Sequence, residues 1–351
     1  DRRDADELGT QPGHLVLGTY AVRLAGRHGP NLTWEGSAGG VGLSIRRVFV
    51  GRVCGGRVQG CVTGSGGMDE STIEVTSRDG IQLQVYRWAP DGEPRAVVQI
   101  QHGLGEHALR YKRFARALTE VGYLVYAPDG RGSGRTAQGR YGHWGEDSWP
   151  GWVDDVARLN ARIRADHSEL PLVLFGHSMG SFATQQFLVD HSGDVDAVVL
   201  SGTTEVSGLV PMLDSPEPAD LSAFNAGFEH RTGFEWLSRD AAEVDLYVAD
   251  EGCGFASEPF RGIPTLLAAA DPERLAGIRS DLPILLVSGS ADPLAGGGAA
   301  VELVGQRYRD AGVRDVTVTI YPEARHELLN ETNRNEVTAD ILGFLARTAG
   351  A

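Results

Sequence analysis

From residue 68 onward, short apolar runs alternate with amphipathic stretches. Residues 72–76 and 81–88 read as two strands around an Asp79-Gly80 turn, which is a hairpin signal. The run at 96–101 suits a buried strand, and 124–127, 172–175, 197–200, 284–287 and 316–320 read as further strands. Between them lie helical patterns. Residues 110–121 put Tyr111, Phe114, Leu118 and Val121 on one face, and Gly122 ends the stretch. Residues 152–165 keep Trp152, Val156, Leu159 and Ile163 in phase, and 181–189, 299–308 and 337–346 complete the set. Strands alternating with helices predict a parallel sheet covered on both faces.

The alternation breaks in two places. Residues 205–270 lack short β-branched runs and carry scattered large apolar residues such as Leu209, Met212, Phe224, Phe234 and Trp236. This predicts a mostly helical insertion. Residues 1–67 show no sustained pattern at all. They hold 16 of the 47 glycines and a net charge of +3, against −15 for the whole chain. Met68 is the first methionine, and strand patterning begins directly after it. The expectation is that residues 1–67 lie outside the folded unit. They read either as translated leader from a misplaced start or as a disordered but genuine extension. The folded unit is then 68–351.

Composition narrows the function. The chain has 351 residues, of which 41% are hydrophobic, enough for a large core. No apolar run approaches the roughly 18 to 20 residues that cross a bilayer, and no secretory signal pattern is visible. The acidic balance disfavours nucleic acid as a partner. Lys112 is the sole lysine, which excludes a P-loop and leaves one candidate for Schiff-base chemistry. Three cysteines, Cys54, Cys61 and Cys253, with no CxxC argue against a disulfide framework or a zinc site and predict a reducing, cytoplasmic setting.

Gly176-His177-Ser178-Met179-Gly180 matches G-x-S-x-G, with an apolar strand before it and a helix after it. That placement is what a nucleophile elbow requires, with Ser178 on the turn. A serine hydroxyl is a weak nucleophile and needs a base. In this architecture the partners follow in the order acid, then histidine. Asp292 lies just past the strand at 284–287, and His326 just past the strand at 316–320. Loops at the carboxyl ends of parallel strands converge on one side of the sheet. Asp129 precedes the serine and reads as a loop-fixing residue. His102-Gly103-Leu104-Gly105 follows the strand at 96–101, so the N–H groups of Leu104 and Met179 are the expected oxyanion donors. H-E-x-x-H and G-x-G-x-x-G are both absent, so no metal or dinucleotide cofactor is expected.

Together, His102 to His107 with Arg110-Tyr111, Pro128 to Gly132, Gly176 to Gly180, Gly289 to Asp292 and Ala324 to Glu327 resemble α/β-hydrolases of the monoacylglycerol lipase and lysophospholipase branch. The likeness runs from Met68 to the C-terminus. It implies an eight-stranded, mostly parallel sheet, a helical cap between strands six and seven (about 205–270), and hydrolysis of esters of single-chain lipids. Ser133 departs from the family's usual histidine in that loop.

The expected chemistry is acyl transfer to Ser178, with His326 as base, Asp292 fixing its tautomer, and water completing hydrolysis without a cofactor. Substrates would be monoacylglycerols or lysophospholipids, or other small esters. A short-chain carboxylesterase or an aminopeptidase stays open. The latter would need grouped acids for a free amine, for which Glu229, Asp240, Glu243 and Asp245 are candidates. A non-catalytic ligand-binding relative should have lost a triad residue, and none is missing. The apolar cap residues suit an acyl chain, packing on the sheet, or transient contact with a lipid surface. Oligomeric state is not readable.

Overall fold

A computed structural model describes residues 68–349. The expectations for residues 1–67, including Cys54 and Cys61, lie outside the described residues. Eight strands form one sheet in the order β1-β2-β4-β3-β5-β6-β7-β8. They are β1 (Asp69–Thr76), β2 (Gln82–Ala89), β3 (Ala96–Gln101), β4 (Tyr123–Pro128), β5 (Leu172–His177), β6 (Ala197–Ser201), β7 (Ile284–Gly289) and β8 (Val316–Tyr321). β1 and β2 pair antiparallel, as do β2 and β4, and every other pairing is parallel.

The central strands are buried on both faces, which is why they read as unbroken apolar runs. Successive residues serve opposite layers. Leu174, Val198 and Leu286 pack with α2 (Ser148–Asp166), α3 (Met179–His191) and α7 (Ala299–Asp310). Val173, Val199 and Leu285 pack with α1 (Lys112–Glu120) and α8 (Arg334–Thr348). β8 is an edge strand, with Thr317 exposed and Val316, Val318, Thr319 and Ile320 half-buried.

Helix bounds differ from the sequence pattern at their starts. α2 begins at Ser148 rather than 152, with Pro150 and Gly151 in its first turn. Proline is tolerated there because its missing N–H would have no partner. Gly151 has a separate reason, since a Cβ would fall 2.5 Å from the Arg131 guanidinium. Between β6 and β7 the chain is helical in short pieces. α4 (Val206–Leu213), α5 (Ala241–Ala249) and α6 (Pro272–Leu275) are joined by 3-10 turns at Leu221–Gly227, Glu235–Leu237 and Ile263–Ala270. Among the described residues, no helix is long and apolar enough to cross a membrane.

The loop after β4 is anchored by charge. The Arg131 side chain is fully buried and donates to Asp155 at 2.7 Å, to both Asp79 oxygens at 3.0 and 3.1 Å, and to the Trp144 carbonyl. It thus joins the β1–β2 turn to α2. The Asp129 carboxylate accepts the N–H groups of Ala108 and Arg135, the loop-fixing role expected of it. Ser133, the departure noted above, is buried with a hydroxyl that finds no partner among the described residues. Arg131→Met leaves two acids without their cation, and it should cost about 3–5 kcal/mol of stability in urea unfolding. A loss under 1 kcal/mol would contradict this account.

Candidate active site

Ser178 sits between β5 and α3 with φ 51° and ψ −123°. A non-glycine residue there is strained, typically by about 1–3 kcal/mol. The surroundings impose the strain. A Cβ on Gly176 would lie 2.6 Å from the Gly180 carbonyl oxygen, and one on Gly180 would lie 2.4 Å from the carbonyls of Gln101 and His102. Gly176 thus lets α3 close on the end of β5, and Gly180 lets the turn close against β3. The Ser178 carbonyl accepts from Ser181 and Phe182, while its N–H donates to Ser201.

The exits of β7 and β8 carry the other two residues. His326 Nδ1 lies 2.8 Å from Asp292 Oδ2, and both side chains are buried. Asp292 Oδ1 accepts the Leu294 N–H at 2.9 Å, which fixes the carboxylate plane. These two loops touch because residue 289 is glycine. A Cβ there would fall 1.9 Å from the Ala324 carbonyl oxygen. Burial opposes a charged imidazole at His326, but Asp292 outweighs it and holds the histidine above its ordinary value. His326 Nε2 is buried and makes no hydrogen bond among the described residues.

The loop after β3 approaches the serine from the opposite side. A Cβ on Gly103 would sit 3.0 Å from Ser178 Cβ. The Gly103 N–H donates to Glu106 Oε1 at 2.6 Å. Among the described residues, no acceptor is found for the N–H of Leu104 or of Met179. His102 staples this loop to the one after β4. Its Nε2 accepts the Gly130 N–H at 2.8 Å, so Nδ1 carries the proton and donates to the Gly103 carbonyl at 2.7 Å.

Sequence reasoning missed a buried charge network behind these loops. Arg110 donates to Glu106 at 3.0 Å and to both Glu327 oxygens, and the Tyr111 hydroxyl donates to Glu106 at 2.8 Å. Arg110 also lies over the Tyr247 ring at 4.8 Å. The network thus links the β3 loop to the residue next to His326. A second omission is Trp236 of the β6–β7 insertion, whose ring centroid lies 4.8 Å from that of His326. Neither leaves a local signal in the sequence, because the partners are far apart along the chain.

A cavity of about 420 Å³ opens onto Ser178, His326, Leu104 and Met179. Its walls are mostly apolar and come largely from the insertion, with Leu209, Met212, Leu213 and Phe224 among them. Among the described residues, no lysine or arginine lines it, whereas Glu217 and Asp220 do, as do Glu106 and Glu327. The four acids considered for amine binding lie elsewhere. Asp240 pairs with Arg334, Glu243 with Arg113 and Asp245 with Arg231, and neither these nor Glu229 line the cavity. His107, Asp250 and Cys253 form a cluster of metal-ligand type, with ligand atoms within 4.8 Å of one another. His107 and Asp250 already satisfy each other at 2.9 Å.

Residues 92–333 match the family model described as "Serine aminopeptidase, S33". A monoacylglycerol lipase of Mycolicibacterium smegmatis is 31% identical, covering 76% of this chain and 93% of that one. The mouse monoglyceride lipase is 32% identical, covering 76% and 86%. Among solved structures, a thermostable carboxyl esterase from Bacillus coagulans superposes with a TM-score of 0.71 at 26% identity, covering 81% of this chain and all of the other.

Gly289→Ala tests the geometry of the site directly. The added methyl cannot coexist with the Ala324 carbonyl, so the Asp292 and His326 loops must part. We expect at least a hundredfold loss of activity from a chain that keeps its far-ultraviolet circular dichroism. Retention of more than a tenth of wild-type activity would show that the loops need not touch.

Proposed function

The chain belongs to the serine aminopeptidase S33 family, in the monoacylglycerol lipase-like branch of the α/β-hydrolases, and from that premise we propose that Ser178, His326 and Asp292 cleave monoacylglycerols through an acyl-enzyme. It is a carboxylic ester hydrolase. The observation that carries the assignment of roles is the buried His326–Asp292 pair beside Ser178, on the wall of an apolar cavity.

In this reading His326 Nε2 takes the Ser178 proton as the oxygen attacks the ester carbonyl. Asp292 holds Nδ1 protonated and stabilises the imidazolium that forms. The N–H groups of Leu104 and Met179 bind the oxyanion, each worth about 2.7–4 kcal/mol in the transition state. His326 then protonates the departing alkoxide. The same histidine activates the water that releases the fatty acid.

Charge on the cavity wall favours monoacylglycerols over lysophospholipids. Glu217 and Asp220 offer no partner to a phosphate and repel it, whereas a glycerol hydroxyl can donate to a carboxylate. An ammonium group would also be drawn to them, so aminopeptidase activity is the second reading. Against it, Asp220 is engaged in capping the turn at Ser222, and the apolar remainder of the wall suits an acyl chain. Transient contact of the insertion with a neutral lipid surface fits the exposed Met212 beside the cavity. A cytoplasmic site of action is part of the proposal and rests on the sparse cysteines.

Ser178→Ala should abolish turnover and labelling by a fluorophosphonate. With the wild type, long- and medium-chain monoacylglycerols should be cleaved at least tenfold faster than the matching lysophosphatidic acids, and amino-acid arylamides not at all. Faster cleavage of acetyl esters or arylamides would transfer the assignment to one of the other readings. The base must be neutral to act, so kcat/KM should rise with pH through a limb above 6.5, the ordinary histidine value. A limb below 6 in a pH–rate profile would contradict the role given to His326.

A further inference from the structure

We infer that Trp236, contributed by the β6–β7 insertion, is a positioning residue that holds the His326 ring and stabilises its protonated form during acyl transfer. The inference rests on the reading of His326 as the base.

Three observations support it. The first is contact. The Trp236 and His326 ring centroids lie 4.8 Å apart with the planes tilted by 37°. An aromatic face at that range attracts a cation, more strongly when water is excluded. Trp236 is 2% exposed and His326 1%.

The second is the backbone. His326 N–H donates to the Trp236 carbonyl at 3.3 Å, and Glu327 N–H to the Leu237 carbonyl at 2.8 Å. Arg325 donates to the carbonyls of Glu235 and Ser238 at 2.6 and 3.1 Å. Three consecutive residues around the histidine are thus bonded to the turn that presents the indole. That turn is itself fixed. Asn225 Oδ1 accepts the Trp236 N–H, and Asn225 Nδ2 donates to the buried Glu235 carboxylate, which also binds Thr232 and Gly233.

The third is what surrounds the ring elsewhere among the described residues. Asp292 binds the Nδ1 edge. On another side stands His177, 4.8 Å away, which burial holds neutral down to about 4. Glu327 and Glu106 also favour the protonated ring, after Asp292, and they share the single cation of Arg110. The Arg325 guanidinium points to the insertion carbonyls and over the Phe228 ring. An imidazolium formed here therefore has the indole as its neighbour on the insertion side.

The test compares full-length wild type, Trp236→Leu and Trp236→Phe. Removing a face that favours the protonated ring should lower the histidine's proton affinity. The acid limb of kcat/KM should move to lower pH in Trp236→Leu, while kcat on the plateau falls on the order of tenfold with KM changed less. Trp236→Phe should recover most of both. A second readout needs no substrate. Protonated imidazole quenches a neighbouring indole, so emission should fall as pH drops through the limb. That change should vanish in Trp236→Phe and in His326→Gln. An unmoved limb, an effect confined to KM, equal losses in the Leu and Phe variants, or quenching that survives in either quench control would each overturn the inference. If the wild type cleaves no ester yet the quenching is present, the assigned function fails while the contact stands.

Discussion

Ser178 can occupy its left-handed turn only because glycines flank it and leave no Cβ between β5, α3 and the carbonyls of β3. That backbone torsion sets much else in place. It points the start of α3 at the sheet's carboxyl edge and leaves the Met179 N–H without an acceptor among the described residues. It brings the serine against the β3 loop, so the shape of that loop becomes part of the site. The strain is tolerable because the surrounding sheet is buried on both faces and holds its register over five parallel pairings.

Charge does for the loops what packing does for the strands. Arg131 gathers Asp79 and Asp155 under the β4 loop, and Arg110 gathers Glu106 and Glu327 under the β3 and β8 loops. In each case a planar guanidinium makes several directed bonds, which suits a fixed arrangement better than the point charge of a lysine. The near absence of lysine from this chain is consistent with that use. Such networks contribute little net stability when complete, but they cost heavily when broken. They act as fasteners between segments far apart in sequence.

Much of the fold was legible because its signals are local. A strand buried on both faces writes a run of apolar residues, and a surface helix writes a 3.6-residue period. The elbow is legible because its glycines stand two residues either side of Ser178, and Asp292 and His326 because each follows a strand end in a fixed order. What escaped was long-range. Arg110 and Glu327 are 217 residues apart, and nothing near either one announces the other. Trp236 read as one more large apolar residue of the insertion, since its role depends on which histidine it faces. The start of α2 was hidden for a different reason, because Pro150 and Gly151 are helix breakers by propensity and sit where a first turn tolerates them.

The neutral histidines bear on where such a molecule can persist. Burial depresses both His102 and His177, and His102 uses its unprotonated nitrogen to hold Gly130. In the unfolded chain both would take up protons below about 6.5, as ordinary histidines do. Acidification below that value therefore favours unfolding through both, and through His177, which burial holds neutral down to about 4, by about 1.4 kcal/mol per pH unit over that range. His326, shifted the other way, opposes this with stability that is complete below 6.5 and fades only as pH climbs through its raised value. The two neutral histidines thus work against the fold as pH falls, while His326 and Asp155, whose carboxyl burial pushes up to about 6, work for it. Protonating His102 would break its bond to the Gly130 N–H and so loosen the β3 and β4 loops together.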